Sequence, residues 1–264
     1  MLKLFNITKT FNPGTITEKK AIRGVDLEIA DGDFITVIGG NGAGKSTLLN
    51  IIAGVHLTDT GSITLDGVDL TSSPEYKRAK YLGRVFQDPM MGTAANMSIE
   101  ENLAMAMRRG KRRGLSWYIQ PSEKKLYEEK LALLDLGLEK RMHSKVGLLS
   151  GGQRQALTLL MSTLQKPKLL LLDEHTAALD PTNAALIMKL TRKFAEEYNL
   201  TVMMVTHNMQ QALDYGNRLL MMDGGEIIYD VSGEEKQKLT LDDLAQKFRE
   251  IKKSGMTNDQ MVLQ

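Results

Sequence analysis

Gly39-Gly40-Asn41-Gly42-Ala43-Gly44-Lys45-Ser46 is the segment of this sequence best equipped for chemistry. It fits G-x-x-x-x-G-K-[ST], follows the apolar run Phe34–Ile38, and leads into Thr47–Ala53, which reads as a helix. Glycines let successive backbone N–H groups curl around a phosphate chain, and the helix N-terminus adds a favourable partial charge. In such a loop Lys45 pairs with β- and γ-phosphates and the Ser46 hydroxyl ligates Mg²⁺. A second segment, Leu169-Leu170-Leu171-Leu172-Asp173-Glu174, ends an apolar strand in two acids. Asp173 at the C-terminal edge of a sheet suits Mg²⁺ held mostly through water. Glu174, one residue on, can orient or deprotonate an attacking water. The third segment is Leu149-Ser150-Gly151-Gly152-Gln153. One reading makes Ser150 a helix cap; the other makes the two glycines a second cradle for a γ-phosphate.

These groups need a scaffold. Phe34–Ile38, Arg84–Phe86, Leu169–Leu172 and Val202–Val205 are short runs, apolar on both faces, and read as central strands of a parallel sheet. Helix-length segments between them give the alternation of an α/β fold. Leu2–Thr8 and Ala21–Ile29 are β-rich and separated by a turn at Asn12-Pro13-Gly14, which predicts an antiparallel β layer. From Ile99 to Val146 the alternation breaks. Pro121 fits a first helical turn, and Leu126, Leu133, Leu134 and Leu136 mark an apolar side before Gly137, so a helical insertion is expected. Another helix, Arg154 to about Leu164, should follow the Ser150 segment. Leu244, Phe248 and Ile251, after a Thr240/Asp243 cap pair, predict a terminal helix over 240–253, with 254–264 frayed.

Composition excludes several classes. Of 264 residues, 42% are hydrophobic and 25% charged, which suits a compact core and not a disordered chain. A net charge of +2 gives no global field for nucleic acid. With no cysteine, disulfides and thiolate metal sites are excluded, in keeping with a reducing cytosol. The longest apolar runs, Leu103–Met107 and Ala184–Met188, fall far short of the roughly 18 residues a membrane span needs. Met1–Asn6 turns polar too soon for a signal peptide.

Taken together, these motifs resemble those of the ATP-binding cassette (ABC) ATPases, from about Leu2 to Tyr229. The family's phosphate loop matches Gly39 to Thr47, its signature matches Leu149 to Gln153, and its general base falls on Glu174. Ala178-Leu179-Asp180 is similar to the D-loop, and Gln87 to the glutamine that reaches the catalytic metal. His207 matches the switch histidine that contacts the γ-phosphate, and Phe11 the adenine-stacking aromatic. Two positions depart from the family pattern: His175 stands where Pro is usual, and Ala177 where Ser is usual. His175 reads either as an extra base or as a tolerated loop substitution; no role is assigned to it.

The resemblance implies a phosphate-loop NTPase core with a mostly parallel sheet, an N-terminal antiparallel β layer and a helical subdomain. It divides a single ATPase domain into core (1–98 and 147–230), helical subdomain (99–146) and C-terminal helical tail (231–264). It implies ATP and Mg²⁺, hydrolysis coupled to transport, and a second copy of the chain in a head-to-tail ATP sandwich. Separate transmembrane permease chains would hold the protein at the cytoplasmic face of the membrane, with an extracellular substrate-binding protein completing the system and no nucleic acid involved. A soluble ATPase of the translation class would need two cassettes, and one of the chromosome class a long coiled coil; Lys45 to Ser150 lacks sustained heptads. An exporter subunit is a further alternative. Asp173 to Pro181, with Leu149–Leu157, is similar to a bacterial importer subgroup assigned to amino-acid uptake, tryptophan or tyrosine among the candidates. Arg108–Arg113, five basic residues in six, reads as a solvated loop or as a run near lipid headgroups.

Overall fold

The computed structural model describes residues 1–111 and 119–253, with side chains up to residue 250. The tail 254–264, and Arg112 and Arg113 of the basic run, lie outside the described residues. Among the described residues the strands begin with β1 (Leu2–Phe11), β2 (Lys19–Ile29), β3 (Phe34–Gly39), β4 (Thr60–Leu65) and β5 (Val68–Asp69). They continue with β6 (Leu82–Val85), β7 (Leu169–Asp173), β8 (Thr201–Val205), β9 (Arg218–Asp223) and β10 (Glu226–Ser232). The helices are α1 (Lys45–Ala53), α2 (Glu75–Arg78), α3 (Ile99–Met107), α4 (Pro121–Ala132) and α5 (Gly151–Thr163). After these come α6 (Pro181–Tyr198), α7 (Met209–Asp214), α8 (Gly233–Lys238) and α9 (Leu241–Lys253). The chain divides into two units: Met1–Arg78 with the segment from Thr201 onward, and Ala79–Leu200.

In the first unit an antiparallel sheet runs β2-β1-β4-β5, with Leu4 opposite both Leu27 and Ile63. Leu2, Leu4, Leu27 and Ile63 are buried while Lys3 and Phe5 face out, the alternation of a sheet with one wet face. The expected β layer is therefore present, but it is wider than Leu2–Thr8 and Ala21–Ile29 alone. The same unit holds β10-β9-β3-β8, in which β3 runs parallel to both β8 and β9. Its central strands are buried on both faces. Arg78 is fully buried and donates to the carbonyls of Ile51 and Ile52, each at 2.8 Å. Its cation closes the negative end of α1, the helix that carries the phosphate loop. Leu244 of α9 joins Ile38, Ala212, Leu219, Met221 and Val231 in one core cluster, with Phe248 packed alongside. Thr240 and Asp243 cap α9 reciprocally, as the sequence predicts.

In the second unit β6 and β7 run parallel, with Val85 opposite Leu172. The strand expected at Arg84–Phe86 starts two residues earlier and stops before Phe86. Pro121 opens α4 as predicted. The buried side of this region is Tyr127, Leu131, Leu134 and Leu138, whereas Leu126, Leu133 and Leu136 are only half-buried. The reason is local: α4 ends at Ala132, and positive φ at Asp135 and Gly137 turns the chain, so the helical spacing does not continue. Among the described residues, no helix is long and apolar enough to cross a membrane.

Candidate functional site

In the first unit, β3 ends at Gly39 and α1 begins at Lys45, so the loop spans one tight turn. Gly44 precedes the helix at φ +103°, and a Cβ there would come 2.8 Å from the Ala21 carbonyl oxygen. Only glycine serves at that position. The loop is braced from behind, with Gly225 N–H donating to Ala43 at 3.0 Å and Arg23 N–H donating to Gly225 at 2.9 Å. Lys45 is 7% exposed, and its Nζ donates to the carbonyls of Gly39 (2.9 Å) and Gly40 (3.1 Å). The ammonium is thus fixed at the loop. No acid stands in the first turn of α1, so its positive end is left to favour an anion bound at the loop. Asn41, Gly42 and Ser46 are exposed, Gly39, Gly40 and Ala43 buried, and Thr47 half-buried.

The pairing of Val37 with Val205, extended by Thr206 N–H donating to Val37 at 3.1 Å, brings His207 to the sheet edge where Gly39 ends. His207 is exposed, and Asn208 beside it caps α7 through Gln211 N–H at 2.9 Å. Phe11, at the end of β1, lies edge-on to His56, their ring centroids 5.1 Å apart. Near it, a cavity of about 550 Å³ is lined by Thr8, Thr10, Lys20, Ile22 and Arg23.

In the second unit, the β6–β7 pairing sets Gln87 and Asp173 at one C-terminal edge. Gln87 is exposed; Asp173 and Glu174 are half-buried. Glu174 has φ +44°, in the left-handed region, which costs a side chain of this kind about 1 kcal/mol. Its carbonyl accepts from Ala177 N–H at 2.9 Å, closing the turn. Ser150 caps α5: its hydroxyl accepts from Gln153 N–H (3.3 Å), and Gln153 Oε1 accepts from Ser150 N–H (3.2 Å). The helix therefore starts at Gly151, three residues before the expected Arg154.

Gly151 is exposed, whereas Gly152 is buried, and a Cβ on Gly152 would collide with the Asn183 side chain. Asn183 is itself held by Asp180 through N–H to Oδ1 (3.1 Å) and Nδ2 to Oδ2 (2.6 Å). The Asn183 side-chain hydrogen bond, with backbone donors behind it, keeps the Asp180 carboxyl below its usual range. The signature glycines and Asp180 thus meet through Asn183, which the sequence reading did not name. Gln155 is a second residue it missed. Fully buried, Gln155 donates Nε2 to the carbonyls of Phe86 (3.1 Å) and His175 (2.6 Å), residues adjoining Gln87 and Glu174. One amide ties three motifs.

Residues 22–177 match the family model described as ABC transporter. The chain belongs to the ABC transporter family. It is an ATP-hydrolysing, nucleotide-binding subunit of that family. This ABC ATPase is 46% identical, over 94% of its length and 98% of the relative's, to a tyrosine transport ATP-binding protein of Clostridioides difficile. Identity to a xylose/arabinose import ATP-binding protein of Sulfolobus acidocaldarius is 34%, over 89% of each chain. Among solved structures it is similar to the dimeric ATP-binding cassette MJ0796 bound to ADP and Pi: TM-score 0.75, 30% identity, 88% of this chain and 98% of that one. The ADP conformation of the cassette MJ1267 matches 96% of this chain and 98% of its own, at TM-score 0.75 and 30% identity.

In this ABC ATPase His175 is a core residue. It is 2% exposed, its Nε2 lies 3.2 Å from Thr191 Oγ1, and burial pushes its pKa down from 6.5 to about 4. The folded chain therefore keeps it neutral, while the unfolded chain protonates it below about pH 6.5. Its contribution to stability is complete above that pH and is lost as pH falls toward 4. Urea unfolding at pH 7 and pH 4.5 should differ by about 2 kcal/mol more in the wild type than in His175→Asn. Parallel profiles would refute the assignment. The basic run is partly committed to structure: Arg108 pairs with Glu123 at 3.2 Å, and Arg109 donates to the Ser162 carbonyl at 3.2 Å.

Proposed function

We propose that this chain is the energising subunit of an importer for amino acids of the aromatic class. The observation that carries the reading is the 46% identity, nearly end to end, to the tyrosine transport relative, against 34% to the sugar-import relative. Two copies bind ATP head to tail, each docked on a separate permease chain at the cytoplasmic face, with an extracellular binding protein delivering the cargo. The dimeric cassette among the similar structures supports the pairing.

At each site Lys45 and the loop N–H groups of Gly39 to Thr47 hold the β- and γ-phosphates, and Phe11 meets the adenine. Ser46, Gln87 and Asp173 offer hydroxyl, amide and carboxylate oxygens, a hard donor set that fits Mg²⁺. Bound with the nucleotide, that ion neutralises charge on the phosphate oxygens. Glu174 accepts a proton from the water that attacks the γ-phosphorus, as the bond to the β-bridging oxygen breaks and ADP leaves. His207 contacts the γ-phosphate from the same chain. Ser150, Gly151, Gly152 and Gln153, with Asp180 behind them, contact it from the partner copy.

Uptake of labelled tyrosine and tryptophan tests the cargo. In cells whose only copy is Glu174→Gln, and which lack other aromatic carriers, uptake should fall to background. Undiminished uptake would remove the aromatic assignment.

A further inference from the structure

The mechanism above leaves Arg84 unused. It sits on β6 opposite Leu171, and Asp173 lies two residues further along β7, on the same face. Arg84 Nη2 is 3.7 Å from Asp173 Oδ2, and the two side chains are only 14% and 16% exposed. The guanidinium also lies 4.5 Å from the centre of the Phe86 ring, a cation–π contact that seats it. We propose that Arg84 is a resident counter-ion of Asp173 that sets how much divalent cation the site requires. This rests on the reading of Asp173 as a metal-holding residue. A unit positive charge at that distance, largely shielded from solvent, orients the carboxylate and competes with an incoming cation for the same oxygens. A neutral side chain at 84 removes that competition, and the site then fills at lower cation concentration. A lysine keeps the charge and therefore the wild-type requirement.

The test is equilibrium binding of a fluorescent, non-hydrolysed ATP analogue to the full-length protein, titrated with Mg²⁺ and separately with Mn²⁺. For Arg84→Gln the half-saturating cation concentration should fall about three- to tenfold, while Arg84→Lys stays at the wild-type value. Arg84→Met, which keeps the aliphatic stem, serves if the glutamine variant does not fold. Asp173→Asn is the control on the underlying reading and should raise the cation requirement. If Asp173→Asn leaves it unchanged, Asp173 does not hold the metal and the basis of the proposal is gone. If Asp173→Asn raises it while both neutral variants at 84 match the wild type or need more cation, the counter-ion role alone is refuted.

Discussion

Glu174→Gln should bind ATP as the wild type does and hydrolyse it about 10²–10⁴ times more slowly, a barrier increase of roughly 3–5 kcal/mol. The substitution keeps the side chain's size and its hydrogen-bonding oxygen but removes the proton-accepting carboxylate. Its position supports a large effect. Glu174 follows the last residue of β7 and is held in the left-handed region by a turn closed through Ala177. Strained backbone of this kind persists where the surrounding structure over-determines it, and such positions cluster at active sites. Phosphate release at saturating ATP measures the rate, and analogue fluorescence measures binding. Hydrolysis at the wild-type rate would remove Glu174 from its role.

Lys45→Ala should act on binding itself, lowering nucleotide affinity about 10- to 100-fold through loss of a charge-assisted phosphate contact. The buried ammonium now bridges the carbonyls of Gly39 and Gly40, which keeps it at the loop and limits the entropy it loses on meeting phosphate. Calorimetric titration with ATP gives the affinity directly. Unchanged affinity would contradict the assignment.

What was legible in the sequence was local. The phosphate loop, the acids after Leu169–Leu172 and the Ser150 cap are each written in contiguous residues whose chemistry depends on their immediate neighbours. The α/β alternation was readable for the same reason, since strands buried on both faces are continuous apolar runs. What escaped was set by tertiary contact. Thr60–Leu65 carries a glycine and three hydroxyls, and becomes a strand because β1 lies beside it. The Asp223-Gly224-Gly225-Glu226 turn did offer a hairpin signal for β9 and β10, which the sequence reading passed over.

Buried polar residues were the hardest to foresee. Gln155 looks like one more polar residue after the signature, and Lys236 like a solvated charge in Gly233-Glu234-Glu235-Lys236. In the fold Lys236 is buried and donates to the carbonyls of Leu213 (3.1 Å) and Gly216 (2.7 Å), closing the end of α7. Burial pushes its pKa down to about 8. No spacing rule announces such a partner, because the carbonyls it meets lie some twenty residues away in sequence.

The claim that one active site is built from two copies of the chain is tested most directly by mixing two inactive variants. Lys45→Ala removes the phosphate contact, and Ser150→Arg blocks the signature face that the partner's nucleotide would meet. Each variant alone should hydrolyse ATP at background. A heterodimer has one site carrying both lesions and one carrying neither, so a mixture in which heterodimers form should recover ATP hydrolysis above both parents. If heterodimers are demonstrated by mass and hydrolysis stays at background at every mixing ratio, the shared site is contradicted.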